Sequence, residues 1–436
     1  MILPAQPQPD LGSRHAQAAQ QAMKAGDFEA AARAFGELTR LLPGVAEVHS
    51  NLGVAYFFNK QRVEAIQAFE TALKIKPDLV SALIFSGIAS FELSDYEQAA
   101  ARLEKAVELK PDDPLAQVSL GLTYSAQLRF ADAADRFEAA TRLQPGNIDA
   151  WYGLGKARLD LANRKTRRLL EVAPGGARVL QLAGDIWRMR GDEKKAGILY
   201  EKSRDHSSSA QEDALYHEIT ELRQSGTRAF ETIHKVAPAS YRAHQVIADS
   251  LAAQQRGSEA LSEYREVLRL KPDLVGIHKV IGDLLYIQGD REEALEEYRQ
   301  DLNKRPNEAD LHYRMGRTWA AMGDAQQAEK ALRRSLELSA TPPGAFKELA
   351  KIYLRRNDHK QGIELLKTYI NTEGAGTDAS AHYLLMGAYR AIGQTETAQI
   401  YAKKFQELSQ SGNQQGGSLR QALSLFHDDD AGGSVP

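Results

Sequence analysis

Apolar positions along the chain recur at helical spacing and restart at a fixed interval. Ala65, Phe69 and Ala72 are spaced so that they lie on one face of a helix. Leu52 and Tyr56, one helical turn apart, predict a second amphipathic helix in the preceding segment. A short polar break separates the two segments. The pattern therefore predicts a helical hairpin as the unit of the fold.

The hairpin recurs with a period marked by proline. The prolines that close successive units follow one another at a constant interval: Pro43, Pro77, Pro111 and Pro145, and later Pro238, Pro272 and Pro306. Gly26 in the break predicts a left-handed end for the first helix, and Asp27 predicts a cap for the second. The sequence Lys76–Asp78 predicts the end of the second helix, because proline blocks its continuation. We expect close contact between the two helices at small residues such as Gly53.

This period, the Leu-Gly pair and the Ala-Phe-Ala stripe resemble the tetratricopeptide repeat (TPR) family. The resemblance covers residues 12–408 and implies an all-α, right-handed superhelical α-solenoid. About twelve hairpins are predicted, beginning near Gly12, Ala46, Val80, Pro114, Ile148, Ala177, Gln211, Tyr241, Val275, Ala309, Pro343 and Ala379. The fifth and seventh are shortened; in the fifth, for example, Pro174 follows Pro145 sooner than the constant interval requires. We expect both to alter the local curvature of the array.

The two ends of the chain lack the repeat. Residues 1–11 are predicted to be disordered, and residues 409–436 to form a flexible tail. Within this tail, Leu419, Leu423 and Phe426 share a helical stripe, which predicts a short amphipathic helix at 418–427. Two roles stay open for it: a cap on the last repeat, or a docking segment for a partner.

Charge and composition exclude several classes of function. The chain has 55 Lys and Arg against 58 Asp and Glu, so it has no overall attraction to nucleic acid. It has no cysteine, which excludes disulfides and thiolate sites, and no apolar run long enough to span a membrane. The first residues have no basic stretch before an apolar core, so we expect a cytoplasmic protein. A periplasmic or secreted location stays open if the N-terminus is a truncated signal peptide.

The sequence also lacks a convincing catalytic motif. Tyr152–Arg158 has a glycine and a lysine, but Ala150 and Ala157 replace two required residues of a phosphate-binding loop. His217–Glu221 lacks the second histidine of a zinc helix. We therefore predict no catalytic residue, metal or cofactor, and a protein that is not an enzyme.

The resemblance implies that the first helix of each repeat, helix A, lines a concave groove. Its second, fifth, ninth, twelfth and thirteenth positions are those that point into the groove. The predicted partner-binding residues are apolar at Val54, Phe57, Phe58, Ile84, Ile88, Phe91, Val118 and Leu122, acidic at Asp185, Asp249 and Asp283, basic at Arg317, Lys347, Lys351 and Arg355, and aromatic at Tyr152, Tyr313 and Tyr383. An alternative is that Phe57 and Phe91 pack between repeats.

These residues predict a non-catalytic scaffold or adaptor that binds a protein or peptide. A contiguous exposed apolar patch usually marks an interaction site. The alternative is a regulatory or substrate-selecting arm of an enzyme complex, of the glycosyltransferase type, whose catalytic subunit is another chain. The TPR clamp for a chaperone's C-terminal carboxylate is excluded, because Ser50 and Val54 replace its lysine and asparagine.

Overall fold

The computed structural model describes residues 11–189, 191–372 and 375–424, without the side chains of residues 377 and 410–424. Every regular element in these residues is helical, which confirms the predicted all-α class. The helices are α1 Leu11–Ala25, α2 Phe28–Leu41, α3 Ala46–Phe58, α4 Arg62–Ile75, α5 Val80–Glu92, α6 Tyr96–Leu109, α7 Pro114–Ala126, α8 Phe130–Leu143, α9 Ile148–Val172, α10 Ala177–Met189, α11 Glu193–Arg204, α12 Ala210–Val236, α13 Tyr241–Ala253, α14 Gly257–Leu270, α15 Ile277–Gln288, α16 Arg291–Lys304, α17 Ala309–Met322, α18 Ala325–Leu338, α19 Gly344–Arg355, α20 His359–Ile370, α21 Ala379–Ala391 and α22 Thr395–Ser424. A short 3-10 turn, Ala375–Thr377, precedes α21.

Consecutive helices form ten hairpins in the described residues. They are α1–α2, α3–α4, α5–α6, α7–α8, α10–α11, α13–α14, α15–α16, α17–α18, α19–α20 and α21–α22. The predicted turn chemistry is present: Gly26 has a φ of +75°, and the Asp27 side chain accepts a hydrogen bond from the Ala30 N–H at 2.9 Å. Leu128 adopts the same left-handed conformation without glycine, with a φ of +60°.

Close packing inside each hairpin explains the small residue of the Leu-Gly pair. A Cβ atom on Gly53 would lie 2.6 Å from the ring of Phe69, which is fully buried. A Cβ atom on Gly282 would lie 2.6 Å from the ring of Tyr298 in the same way. Real side chains do not approach this closely, so a larger residue would force the helices apart. The predicted close approach is confirmed.

One helix start departs from the repeat. The residue before α15, Gly276, has a φ of +89° and no side chain to cap the helix. Asp301 on α16 replaces the cap: its carboxylate accepts hydrogen bonds from the backbone N–H groups of Gly276 at 2.9 Å and Lys279 at 3.1 Å. Asp301 is fully buried, at a position where other repeats have alanine, such as Ala72. A carboxylate from the neighbouring helix thus satisfies the open end of α15.

The predicted fifth and seventh hairpins are not hairpins. Each of these segments is one continuous helix, α9 and α12. The stretch 159–172 in α9 contains neither glycine nor proline, so nothing in it ends the helix.

The chain divides into two compact units, and the division falls inside both long helices. The first unit comprises the residues up to Arg158 together with Gly226–Pro238. The second comprises Leu159–Ser225 together with the residues from Ala239 onward. The start of α9 and the end of α12 therefore belong to one unit, although they are far apart in sequence.

Inside the first unit, these two helix segments complete one repeat. A Cβ atom on Gly155 would lie 2.4 Å from the Phe230 ring, the same kind of contact that Gly53 makes with Phe69. Phe230 precedes Pro238 by the interval that separates Phe69 from Pro77. Residues 226–236 are therefore the second helix of the repeat that begins at Ile148. We call this repeat, residues 148–158 with 226–238, the split repeat.

The segment Leu159–Ser225 interrupts the split repeat and has a core of its own. We call this segment the insert. Leu169, Leu182 and Ile219 are buried together in this core, with Trp187 from the same cluster 6% exposed. The insert therefore includes α10 and α11, the predicted sixth hairpin, between the adjoining parts of α9 and α12.

The C-terminal region also differs from the prediction. α22 continues past Leu408 as far as Ser424, so the backbone is helical where a flexible linker was predicted. The predicted helix at 418–427 overlaps the end of α22, and its last three residues lie outside the described residues. Residues 1–10 and the acidic tail also lie outside them, while Leu11 begins α1.

Candidate partner-binding surface

The adjacent phenylalanines of α3 have different environments. Phe57 is half-buried, 5.7 Å from the Phe85 ring and 5.5 Å from Phe58, and the Arg62 guanidinium lies 4.2 Å above its centre. Phe58 stacks on Phe28 at 5.2 Å but keeps 45% of its surface exposed. Phe57 thus packs between repeats, as the alternative interpretation held, and Phe58 presents an aromatic face to solvent.

The other predicted apolar residues of the first unit also divide into packed and exposed. Ile84 is 4% exposed and lies in the core, so its predicted place on the free surface is wrong. Val54, Ile88, Phe91 and Val118 are half-buried. Leu122 is 42% exposed on α7. Tyr152 packs against Phe230 of the split repeat, with ring centres 5.9 Å apart.

The sequence reasoning missed exposed apolar residues at groove positions. One is Met189, at the thirteenth position of its repeat and 70% exposed, and two more follow the same rule. Leu115 occupies the second position of its repeat and is 45% exposed. Ile287 occupies the thirteenth position of its repeat and is 79% exposed. The positional rule that selected Phe58 and Leu122 would have selected all three.

The three predicted acidic residues are held by tyrosine hydroxyls. Tyr200 donates a hydrogen bond to Asp185 at 2.8 Å, Tyr298 donates to Asp283 at 2.8 Å, and Tyr264 donates to Asp249. Burial, followed by the interaction with the carboxylate, raises the pKa of Tyr200 to about 12 and raises the pKa of Tyr264 and Tyr298 further.

This Asp–Tyr pairing has a signal in the sequence. In the repeats that have aspartate at the ninth position, tyrosine replaces the phenylalanine of the second helix, 15 residues further on. The two substitutions occur together because a buried hydroxyl needs an acceptor. The acidic residues therefore have a structural role, and the sequence reasoning overlooked it.

The predicted basic residues are paired to different degrees. Lys347 contacts Asp378 at 2.6 Å, and Lys351 contacts Glu348 at 2.7 Å. Burial raises the pKa of the Asp378 carboxyl, but hydrogen bonds from Lys347, Ser380 and Tyr369 outweigh it and hold the pKa well below its usual range. The contact of Lys347 joins the helix A of one repeat to the turn before the next, whereas that of Lys351 stays within α19.

The remaining two predicted cations and the last tyrosine lie nearer to solvent. Arg355 is exposed at the end of α19. Arg317 is half-buried against the rings of Tyr286 and Tyr313. Tyr383 is 54% exposed, and its ring centre lies 5.4 Å from that of Phe405 on α22.

Other kinds of site are not apparent in the described part of the chain. There, no three His, Asp or Glu side chains lie together as a set of metal ligands. No helix within those residues is both long and apolar enough to cross a membrane. A cleft of about 680 Å³ lies among α1, α2 and α3 and is lined by residues such as Met23, Phe35 and Val54.

Family models confirm the repeat. Models described as tetratricopeptide repeat match residues 17–80 and 119–167, and residues 309–342. A model described as TPR repeat matches residues 87–127 and 282–323. These segments of the chain are tetratricopeptide repeats. TPR repeats are typical of scaffolds that bind other proteins, through surfaces built from successive repeats.

Solved structures match the chain at low identity and with low TM-scores. MamA is 21% identical over 40% of this TPR chain and 94% of its own, with a TM-score of 0.36. The APC/C hetero-tetramer Cut9–Hcn1 is 14% identical over 95% of this chain and 97% of its own, with a TM-score of 0.38. PilF of Pseudomonas aeruginosa is 18% identical over 57% of this chain and 97% of its own, also with a TM-score of 0.38. These scores are too low to support an inference about function. A comparison with curated protein sequences finds no match.

Proposed function

We propose that this TPR protein is a scaffold or adaptor that captures a protein or peptide on the helix A face of its first unit. Exposed apolar side chains on two A helices of the first unit support this proposal: Phe58 on α3 and Leu122 on α7, at 45% and 42% exposure. Neither is required by the repeat, whose packing positions are filled by residues such as Leu52 and Gly53. Exposed aromatic and apolar anchors of this kind dominate binding energy when a partner covers them.

The proposed partner inserts apolar side chains between these anchors. Phe58 already has an aromatic neighbour in Phe28, so an aromatic or aliphatic side chain added there would extend an existing cluster. Half-buried Val54 and Ile88 occupy the same position in their repeats as Leu122. An extended segment or an amphipathic helix of the partner would fit this arrangement.

The test is capture of partners by the full-length chain and by a double variant, Phe58→Glu with Leu122→Glu. We expect at least about a tenfold loss of the captured protein, because a charge replaces each anchor. Val63→Glu is the matched control, since Val63 is 55% exposed on α4, outside helix A. Quantitative mass spectrometry would measure capture, and circular dichroism would measure the melting temperature.

Unchanged capture by the double variant would overturn the proposal for this surface. A melting temperature far below that of the parent would show that Phe58 and Leu122 pack in the array, which would also overturn it. Stoichiometric capture of a single catalytic subunit would instead favour the enzyme-arm interpretation.

A further inference from the structure

Arg317 on α17 is a charged side chain without a charged partner among the ion pairs of the described residues. Its guanidinium carbon lies 4.3 Å from the centre of the Tyr286 ring and 5.9 Å from that of Tyr313. Its Nε atom is shielded from solvent and has no hydrogen-bond partner in the described residues. A buried polar atom left without a partner is uncommon in native proteins and calls for an explanation.

The neighbouring charges are already paired with one another. Lys279 contacts Asp310 at 3.3 Å, and Arg314 contacts both Asp310, at 2.8 Å, and Asp283. Asp283 also accepts the hydrogen bond from Tyr298. Three cations, with Arg317 included, thus accompany two carboxylates, so this part of the second unit has one excess positive charge. That charge belongs to Arg317.

The next repeat does not neutralise this charge. Its two groove lysines are paired with acids of their own, Lys347 with Asp378 and Lys351 with Glu348. A carboxylate brought by another molecule would therefore meet Arg317 without displacing an existing ion pair.

The two tyrosine rings orient the Arg317 guanidinium for binding a carboxylate. Stacking against an aromatic face stabilises the cation and fixes the plane of the guanidinium. A planar guanidinium in a fixed orientation binds a carboxylate through two parallel hydrogen bonds. Because Arg317 is half-buried, the interaction is screened less than an ion pair in open solvent.

An exposed apolar residue follows Tyr286 on the same helix. Ile287, next to Tyr286 in sequence, is 79% exposed. A peptide that places a carboxylate on Arg317 has the Tyr286 and Tyr313 rings beside it, and these rings favour an apolar neighbour. The site therefore favours an acidic residue flanked by an apolar one.

We propose that Arg317 binds the side-chain carboxylate of an acidic residue in a peptide segment of the partner, with the Tyr286 and Tyr313 rings as its walls. This inference rests on the proposed scaffold function and names the chemistry of a second contact. Two observations support it: Arg317 has no carboxylate partner among the described residues, and its charged neighbours are paired with one another.

The experiment begins with selection of random peptides, displayed on phage, against the full-length protein. We expect the selected peptides to be enriched in Asp or Glu next to an apolar residue. Arg317→Gln should abolish this enrichment, whereas the matched control Arg355→Gln, an exposed arginine on the following A helix, should keep it.

A selected peptide and its Glu→Gln counterpart then give a direct readout by fluorescence polarisation. Arg317→Gln should weaken binding of the acidic peptide about tenfold or more, since a hydrogen-bonded charge pair is lost. It should leave binding of the Gln peptide unchanged, because that peptide has no carboxylate for Arg317 to bind.

Equal losses for both peptides, or selected peptides without acidic residues, would overturn the inference. Peptides that depend on Phe58 but not on Arg317 would overturn it while the scaffold function stands. Failure to select any peptide would count against both.

Discussion

The split repeat predicts a specific energetic coupling between Gly155 and Phe230. In the intact protein, Gly155→Ala places a Cβ atom 2.4 Å from the Phe230 ring, so the helices must shift, at a cost of about 1–3 kcal/mol. Alanine also gains about 1 kcal/mol over glycine as a helix former. The expected net effect in the wild-type background is a destabilisation of up to about 2 kcal/mol.

Phe230→Ala removes the ring that Gly155→Ala would meet, so Gly155→Ala becomes stabilising in that background. Phe230→Ala alone should cost about 2–3 kcal/mol, below the range for a fully buried phenylalanine because Phe230 is only half-buried. In this background Gly155→Ala meets no ring, so only its helix-forming gain of about 1 kcal/mol remains. The two changes should therefore couple by about 1–3 kcal/mol.

Hydrogen exchange of the full-length chain measures this coupling where it arises. A chain with two compact units does not unfold in one step, so local opening free energies are needed in place of a global value. Peptides from 148–158 and 226–236 should report the coupling. Gly53→Ala is the matched control, since it faces Phe69 and should be indifferent to Phe230→Ala. Additive effects, within about 0.5 kcal/mol, would refute the pairing of these two helix segments.

Two further predictions concern single carboxylates. Asp301→Ala removes the buried group that caps α15 and should lower the local stability by about 3 kcal/mol; unchanged hydrogen exchange in the first turn of α15 would contradict it. The pKa of Asp378 is lowered on folding, so its contacts stabilise the protein above the ordinary pKa of 3.8 and are lost as the pH falls below it. The opening free energy of the first turn of α21, measured by hydrogen exchange, should therefore differ less between the wild type and Asp378→Asn as the pH falls. A difference that grows on acidification would contradict the prediction.

Local packing rules were enough to predict most hairpins. Gly53 and Phe69 belong to the same repeat, and their separation in the sequence is fixed by two helices and one turn. The same local logic applies to Gly26 and Asp27 in the turn. Such features depend on neighbours within one period, so the sequence pattern contains them.

The split repeat depends on a contact between residues that lie more than one repeat length apart in the sequence. Glu171 occupies the position where the repeat predicts a phenylalanine to pack on Gly155. The actual partner of Gly155 is Phe230 on α12, which lies beyond the whole insert. A missing aromatic residue can be noticed in the sequence, but its distant replacement is found only from the three-dimensional contact.

The repeat pattern identifies which residues occupy groove positions, but it does not tell which of these side chains are exposed. Phe57 and Phe58 are both groove positions and both contact Phe85, yet Phe57 is half-buried beneath the Arg62 guanidinium while Phe58 keeps 45% of its surface exposed. Ile84 is likewise a groove position, but it is buried in the core. Which of these side chains stays accessible depends on packing against the neighbouring repeat. A rule applied to one repeat at a time does not take that packing into account.

The split repeat also has a consequence for the order in which the chain folds during its synthesis. Helix A of this repeat leaves the ribosome well before its partner helix, because the insert, Leu159–Ser225, must be translated first. At ordinary elongation rates of about 5–20 residues per second, that delay is about 3–13 s. Throughout it, the apolar side of residues 148–158 has no second helix to cover it. We expect the nascent chain to be most prone to aggregation, and most dependent on chaperones, in this interval.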